Sequence, residues 1–567
     1  MTAPPARLIL VDPCLDGAGS HPWQYAVAIL GAARRRGFAC ELVCRSTARL
    51  PTCAGADWRV WPVLRFPGNS KLTAFAELDR LKADGRSRWQ PPWETWARSR
   101  QRRIRVAAFA ADLAPTIASL APGDRVLVAT ASELDALGLA RSIHATRPPA
   151  GIGWHLQFHG PILALDPAAS AGPDGRISRV SRLLDEAIRL AAPHRLHFHT
   201  PTEELAAEWS LVGAEPVSVL PYPVDLPANP DAAPLLRPAA GRRLRIAMLG
   251  DARSEKNSQI APTLVDEIAA IRSLGNRLQF AIQTNPGFHS RSRREADRTV
   301  GRALEAIESI ARRAPELVEP LAGPLSTAAY HRQLDAADAL LLLYDQRRYR
   351  HRCSAVLLET MAAGRVGIVT GGGWMARRLQ PALRAHVAIL ERLHRLAAEE
   401  TFAVDAVPAG DELSLPVSPP RGAGVAIVEV TWRAIGPPAL LDPPLTLSLG
   451  HAARPTAAVL QADASGAAVP VVFRLGHLTA APTTLTLASP GRSQAVAISG
   501  LRVRWLDGGQ TAPLGDGGIV IAGADGGAEA LEEFVAHADH YLAGAARMAV
   551  AIRQAHSPEA VLEGLLA

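Results

Sequence analysis

The strongest constraint in this sequence is an alternation that occurs twice. Short apolar runs, too brief for helices, are separated by longer helical stretches. Arg7–Val11 (RLILV) is followed by a Gly-bearing loop, Asp12–Ser20, and then by Pro22–Arg36, which has Pro near its start and Gly37 just past its end. The runs Glu41–Cys44, Arg125–Ala129, Trp154–Phe158, Leu196–His199 and Val217–Leu220 continue the series. Continuous apolar strands alternating with helices predict a parallel sheet covered on both faces.

A Pro- and Ala-rich stretch, Asp225–Arg243, interrupts the pattern and suits an extended linker. The alternation then resumes with Leu244–Leu249, Leu278–Ile282, Ala339–Leu343 and Val366–Thr370 as strands. Ala261–Ser273, Thr299–Arg312, Thr327–Ala336 and Ser354–Ala363 read as the helices between them. After about residue 385 the period changes. Gly424–Trp432, Leu445–Leu449, Val469–Leu475, Thr483–Ala488 and Ala495–Arg504 read as strands between Gly and Pro turns, the pattern of a β-sandwich. Gly518–Ala522 restores the α/β style, with helices over Ala528–Ala555 and Pro558–Leu566. The expected division is therefore a first α/β domain over 1–235, a second over 242–385 and 517–567, and an inserted all-β sandwich over 386–516. Three domains fit 567 residues at about 150 to 200 each.

Charge and cysteine content narrow the function classes. Lys plus Arg is 61 and Asp plus Glu is 54, a net +7 with no dense basic stripe, so no nucleic-acid partner is expected. Five cysteines in such a length rule out a disulfide framework. The sequence has no apolar run of eighteen residues and no signal-peptide pattern at its start, which leads to an expected cytoplasmic location. Arg34–Arg36 and the Arg-rich stretch Arg86–Arg105 can dock on anionic lipid, a peripheral membrane contact at the inner face of the membrane; a solvated helix face is the simpler reading. Only three lysines occur, Lys71, Lys82 and Lys256, so Lys256 is less readily dismissed as compositional drift.

In open parallel sheets, ligands bind beyond the carboxyl ends of the strands. Three loops lie there. Gly17 and Gly19 follow the first strand and permit close backbone approach, or simply form a tight turn. Arg253 and Lys256 follow the first strand of the second series, where two cations can neutralise a diphosphate or sit in a solvated loop. Ser354 and Ala355 open a helix whose N–H groups can bind phosphate, and Glu359 stands inside that helix among Leu357, Leu358 and Met361. His159 ends the Trp154–Phe158 run; with His155, His194, His197 and His199 it raises a metal hypothesis, but no ligand motif follows and no metal is expected. Trp432 and Trp505 can stack on sugar rings or anchor the sandwich core, and the core reading is favoured.

As an ordered set these stretches resemble GT-B glycosyltransferases, nearest to glycosyltransferase family 4, which is retaining and nucleotide-sugar dependent. The resemblance is carried by VDPCLDGAGSHPWQYAVAILGAARRRGFACELV, VSVLPYPVD, RIAMLGDARSEKN, EPLAGPLSTAAYHRQLDAADALLLLY and CSAVLLETMAAGRVGIVT. It covers about 1–380 and 517–567 and implies two Rossmann-like domains, the GT-B architecture, with the sandwich inserted. It implies that Arg253 and Lys256 hold the donor diphosphate, that Ser354 and Ala355 offer it backbone N–H groups, and that Glu359 binds ribose hydroxyls. Gly17 and Gly19 would lie beside donor phosphates and acceptor, and His159 would face the transferred sugar. The implied partners are a nucleotide diphosphate sugar as donor and a carbohydrate or lipid-linked acceptor, with no cofactor and no metal. One position departs from the family: His351 stands eight residues before Glu359, where the family has Glu against the donor sugar. A group that can donate replaces one that only accepts, which opens the donor's identity and brings in the alternative of a catalytically impaired binding or scaffold protein.

Overall fold

A computed structural model of the chain describes residues 5–17, 21–50, 58–66, 92–162, 173–213, 215–226, 242–285, 295–434, 445–450, 458–460, 469–475, 483–489, 495–509 and 511–567. Gly19, the linker residues 227–241 and residues 86–91 of the Arg-rich stretch lie outside them. The chain divides into two compact units. The first comprises Met1–Asp225, His351–Ala355 and Arg553–Ala567, and the second Leu226–Arg350 and Val356–Ile552.

The first unit is a doubly wound α/β body. Its strands are β1 (Arg7–Asp12), β2 (Ala39–Arg45), β3 (Arg59–Leu64), β4 (Arg125–Val128), β5 (Gly153–Gln157), β6 (Leu196–Thr200) and β7 (Val217–Val219). They form one parallel sheet in the order β3-β2-β1-β4-β5-β6-β7. The reversal of order beside β1 is the switch point where such sheets bind ligands. Leu8–Leu10, Leu127, Trp154, Leu156 and Phe198 are buried between helices on both faces, as continuous apolar runs require. Ser132 starts the helix Glu133–Thr146 with a capping box closed by Asp135, which Arg105 also holds at 2.9 Å. β3 was not expected. It is an edge strand with Arg59, Val60, Trp61 and Pro62 exposed, so it has no apolar run to betray it.

The helix Pro558–Leu566 packs on His21–Arg35 in this unit, whereas the sequence reading grouped it with the second domain. Arg35 Nε donates to Glu559 at 2.8 Å, and Arg36 pairs with Glu563. Val224 N donates to the His556 carbonyl at 2.8 Å. Two of the three arginines read as a lipid-docking cluster are thus ion-paired to this helix. Among the described residues, no helix is long and apolar enough to cross a membrane.

The second unit carries the second Rossmann-like sheet. It contains β8 (Leu244–Met248), β9 (Leu278–Thr284), β10 (Val318–Ala322), β11 (Ala339–Leu342) and β12 (Val366–Thr370). Ten further strands follow: β13 (Leu396–Phe402), β14 (Ala406–Val407), β15 (Glu412–Val417), β16 (Ala423–Ala434), β17 (Leu445–Leu449), β18 (Ala458–Leu460), β19 (Val469–Arg474), β20 (Thr483–Ala488), β21 (Val496–Asp507) and β22 (Gly518–Ile521). β22 returns to pair in parallel with β12, completing the order β10-β9-β8-β11-β12-β22. Ile519, Ile521, Leu531 and Phe534 share a core with Ile246, Phe280 and Ile368, so β22 and the helix after it are integral to that sheet. The expected single helix over 528–555 is two helices, Gly527–Ala536 and Ala538–Ala555, broken at His537.

β13 to β21 form two antiparallel sheets, β13-β21-β16-β19 with β14 also paired to β21, and β15-β20-β17-β18, whose inner faces share one core of Val428, Val503, Leu447 and Leu487. This is a sandwich. Trp432 and Trp505 are 7% and 0% exposed within it, so neither offers a ring for sugar stacking. Arg474 of β19 reaches Glu533 at 2.6 Å and ties the sandwich to the helix Gly527–Ala536.

Candidate functional site

In the second unit the chain leaves β8 through Gly250, whose φ is +91°. The positive φ favours glycine, and a Cβ there would sit 2.9 Å from Lys256 Nζ and press on the ammonium group. Gly250 N donates to Gln283 Oε1 of β9 at 2.9 Å, fixing the start of the loop. A single 3₁₀ turn, Ser254–Lys256, then ends at Asn257, whose side chain donates to the Leu343 carbonyl at 2.8 Å. Lys256 is thereby held over the Tyr344 ring, 5.4 Å from its centroid. It lines a small cavity with Gly250, Asp251, Gln283 and Tyr344 at the carboxyl ends of β8 and β9.

Burial and the nearby Arg253 charge push the Lys256 ammonium down to about 8, against the pull of Asp251, Glu255 and Glu359. Glu359 is 5% exposed on the helix Ala355–Ala362. Burial pushes its carboxyl up to about 7, while a hydrogen bond from Tyr330 and the charge of Lys256 act in the opposite direction. Tyr330 Oη donates to Glu359 Oε2 at 2.5 Å. The structure therefore brings Lys256 and Glu359 into one electrostatic cluster. Arg253 differs: its guanidinium is half exposed and pairs with Asp251 at 3.0 Å.

In the first unit the end of β5 carries neutral polar groups. His159 follows β5, and its Nε2 lies 3.2 Å from Gln157 Oε1. Tyr25 donates to the same oxygen at 2.6 Å, and Gln157 Nε2 donates to the Leu220 carbonyl at 2.6 Å. Burial pushes His159 down to about 4, opposed by the Ala129 backbone. Gly17 bridges to Arg49, and a Cβ there would meet Arg49 O at an ordinary 3.9 Å, so its geometry does not demand glycine.

His351 is 8% exposed, with Nδ1 2.8 Å from Oε2 of the fully buried Glu208. Its carbonyl accepts from Thr202 Oγ1 at 2.7 Å. Ser354 is buried directly ahead of the helix that Ala355 opens.

Sequence reasoning missed several of these partners. Asp12 ends β1 fully buried and accepts from Thr130 Oγ1 at 2.6 Å and Cys14 N at 2.8 Å. Burial pushes its carboxyl up to about 6. An Asp closing an apolar run at a strand end is a signal that was there to read, as is Gln157 inside one. Tyr330 as the partner of Glu359 carried none, because they lie 29 residues apart.

His155, His197 and His199 do converge. His155 Nδ1 and His199 Nε2 are 3.0 Å apart, His199 Nδ1 lies 2.7 Å from Ser218 Oγ, and His197 stacks on His155 at 5.0 Å. Burial and mutual repulsion push His155 down to about 3 and His199 to about 4. Among the described residues no group of three or more His, Cys, Asp or Glu is placed to hold a metal ion.

No family model matches this chain, and no curated protein sequence does. Solved structures do. Sucrose-phosphate synthase from Thermosynechococcus elongatus is 13% identical with a TM-score of 0.41, over 66% of this chain and 84% of that one. A UDP-forming trehalose-phosphate synthase from Burkholderia xenovorans is 13% identical with a TM-score of 0.42, over 66% and 86%. An E. coli structure, described as trehalose-6-phosphate bound with UDP-2-fluoro glucose, gives 13% and 0.43 over the same shares.

Proposed function

We propose that this chain is a GT-B glycosyltransferase that moves a sugar from a nucleotide diphosphate sugar to an acceptor hydroxyl, with retention at the anomeric carbon and without a bound metal. One observation carries this reading: Lys256 lines a cavity at the carboxyl ends of a parallel sheet, in the electrostatic field of the buried Glu359. A cation there suits a diphosphate, and a buried carboxylate suits the hydroxyls of a ribose. In the reaction the glycosidic C–O bond to the β-phosphate breaks and negative charge develops on the leaving nucleoside diphosphate. Lys256 would stabilise that charge, helped by Arg253 once it leaves Asp251 and by the N–H groups of Ser354 and Ala355. His159, Gly17 and Gly19 would serve the transferred sugar and a carbohydrate or lipid-linked acceptor. The sandwich of β13 to β21, which begins after the helix Trp374–Leu393 rather than at residue 386, is then an inserted module of the donor domain, and the enzyme acts in the cytoplasm or at the inner membrane face.

The test is release of nucleoside diphosphate from a panel of nucleotide sugars, alongside UDP binding. Lys256→Ala should weaken UDP binding by about a hundredfold, the worth of one charge-assisted hydrogen bond, and Arg253→Ala by about tenfold. Unchanged binding and turnover in Lys256→Ala would sink the phosphate role. A second reading, a GT-B binding protein without turnover, is favoured by His351, which is tied to Glu208 where the family places a carboxylate against the sugar. Reproducible release from any member of the panel rejects it; binding without release supports it.

A further inference from the structure

Glu359 is a carboxylate buried inside an apolar helix, and such a group holds one orientation only if a partner fixes it. That partner comes from a separate element. The helix Thr327–Ala336 is capped by Ser326, which accepts from Ala329 N at 3.2 Å, and the cap sets the phase that turns Tyr330 inward. Tyr330 is itself 8% exposed, so its ring cannot swing away, and its hydroxyl donates to Oε2 of Glu359 at 2.5 Å. One carboxylate oxygen is thereby taken, leaving Oε1 as the oxygen available to a ligand. The charged and titratable groups acting on this carboxylate are Tyr330 and Lys256.

We infer that Tyr330 is a positioning residue for the donor site: its hydroxyl locks Oε2 of Glu359 so that Oε1 is presented, ionised, to a ribose hydroxyl. This rests on the reading of Glu359 as the ribose-binding group. The Tyr330 hydrogen bond favours the charged form, so losing it raises the pH at which Glu359 ionises. The role is separate from packing, because Phe fills the same space without the hydroxyl.

Two measurements on the full chain test it. The first follows the Glu359 carboxyl carbon by NMR in unliganded protein labelled at glutamate, with Glu359→Gln assigning the resonance. Tyr330→Phe should move its titration midpoint upward by about one pH unit. The second compares binding of UDP with 2′,3′-dideoxy-UDP against pH, a ratio that cancels the phosphate contacts. Wild type should prefer UDP increasingly as Glu359 ionises. Tyr330→Phe should show about a tenfold smaller preference near neutral pH, recovered at higher pH, and Glu359→Gln a flat profile. An unmoved midpoint, or the wild-type preference profile in Tyr330→Phe, overturns the role of Tyr330 alone. A wild type that binds both nucleotides equally at every pH overturns the ribose reading of Glu359, and the role of Tyr330 with it.

Discussion

The two parallel sheets end in opposite kinds of chemistry. In the first sheet, His155 and His199 within β5 and β6, Gln157 and His159 at the end of β5, and Tyr25 from the helix His21–Arg35 hydrogen-bond to protein groups; burial holds all three imidazoles neutral and pushes the carboxyl of Asp12, which closes β1, up to about 6. At those of the second, a lysine and a glutamate share a field, and burial draws both toward neutrality from opposite sides, Lys256 down to about 8 and Glu359 up to about 7. A neutral, internally satisfied surface suits hydroxyl-rich ligands that exchange hydrogen bonds. A poised pair of charges suits a ligand that brings its own charge.

The largest test sets a second carboxylate beside one that the first unit already buries. His351→Glu would set a carboxylate against Glu208, which is fully buried. Two buried carboxylates in contact should cost about 3 kcal/mol or more, read as a lower melting temperature, and Glu208→Gln should recover most of it. Wild-type stability in the single variant would show that position 351 accepts a carboxylate beside Glu208, and the contrast between the sheets would fail there.

Acid should separate the sheets next. His155, His159 and His199 have folded values below the ordinary 6.5, so the unfolded chain takes up their protons first. Their contribution is intact above pH 6.5 and is lost as the pH falls toward about 4. Glu359 has the reverse sign: its folded value lies above the ordinary 4.5, so protonation between about pH 7 and 4.5 favours the native state; Asp12 of the first sheet, pushed up to about 6, shares that sign and offsets only part of the loss from the three histidines. Hydrogen exchange corrected for intrinsic rate should show protection of β4, β5 and β6 falling by a few kcal/mol between pH 7 and 5, with β8, β11 and β12 changing less. Equal loss in both sheets would break the comparison.

How legible this was depended on which interactions are local in sequence. The parallel strands buried on both faces were readable from runs such as Arg7–Val11 and Val366–Thr370, and β22 from Gly518–Ala522, because burial writes itself as continuous apolarity. β3 and β10 were missed: β3 is an exposed edge strand, and β10 carries Pro320. In the site, Lys256 and Glu359 stood out as single anomalies, a rare lysine and an acid in an apolar helix. What holds them could not be read. Tyr330 lies 29 residues from Glu359, and the pairing of Glu208 with His351 spans 143. Hydrogen bonds between distant side chains leave no period in the sequence.

The smallest expected effect sharpens the charged side of the comparison. Gly250 has a φ of +91°, where an L side chain is strained, and its added Cβ would press on Lys256 Nζ from 2.9 Å. Gly250→Ala should therefore act twice. The backbone strain should cost about 1 kcal/mol of stability. Displacing the ammonium from its place over Tyr344 should weaken UDP binding several-fold, less than deleting it, because the charge survives. The pH dependence separates the two effects. In wild type, UDP binding should fall as pH rises through about 8 and Lys256 loses its proton. An ammonium pushed from its buried seat toward water regains an ordinary value, so in Gly250→Ala that fall should move to higher pH. A variant that is less stable but keeps the wild-type profile would mean that Gly250 only shapes the turn, and that the depressed lysine owes nothing to the glycine beside it.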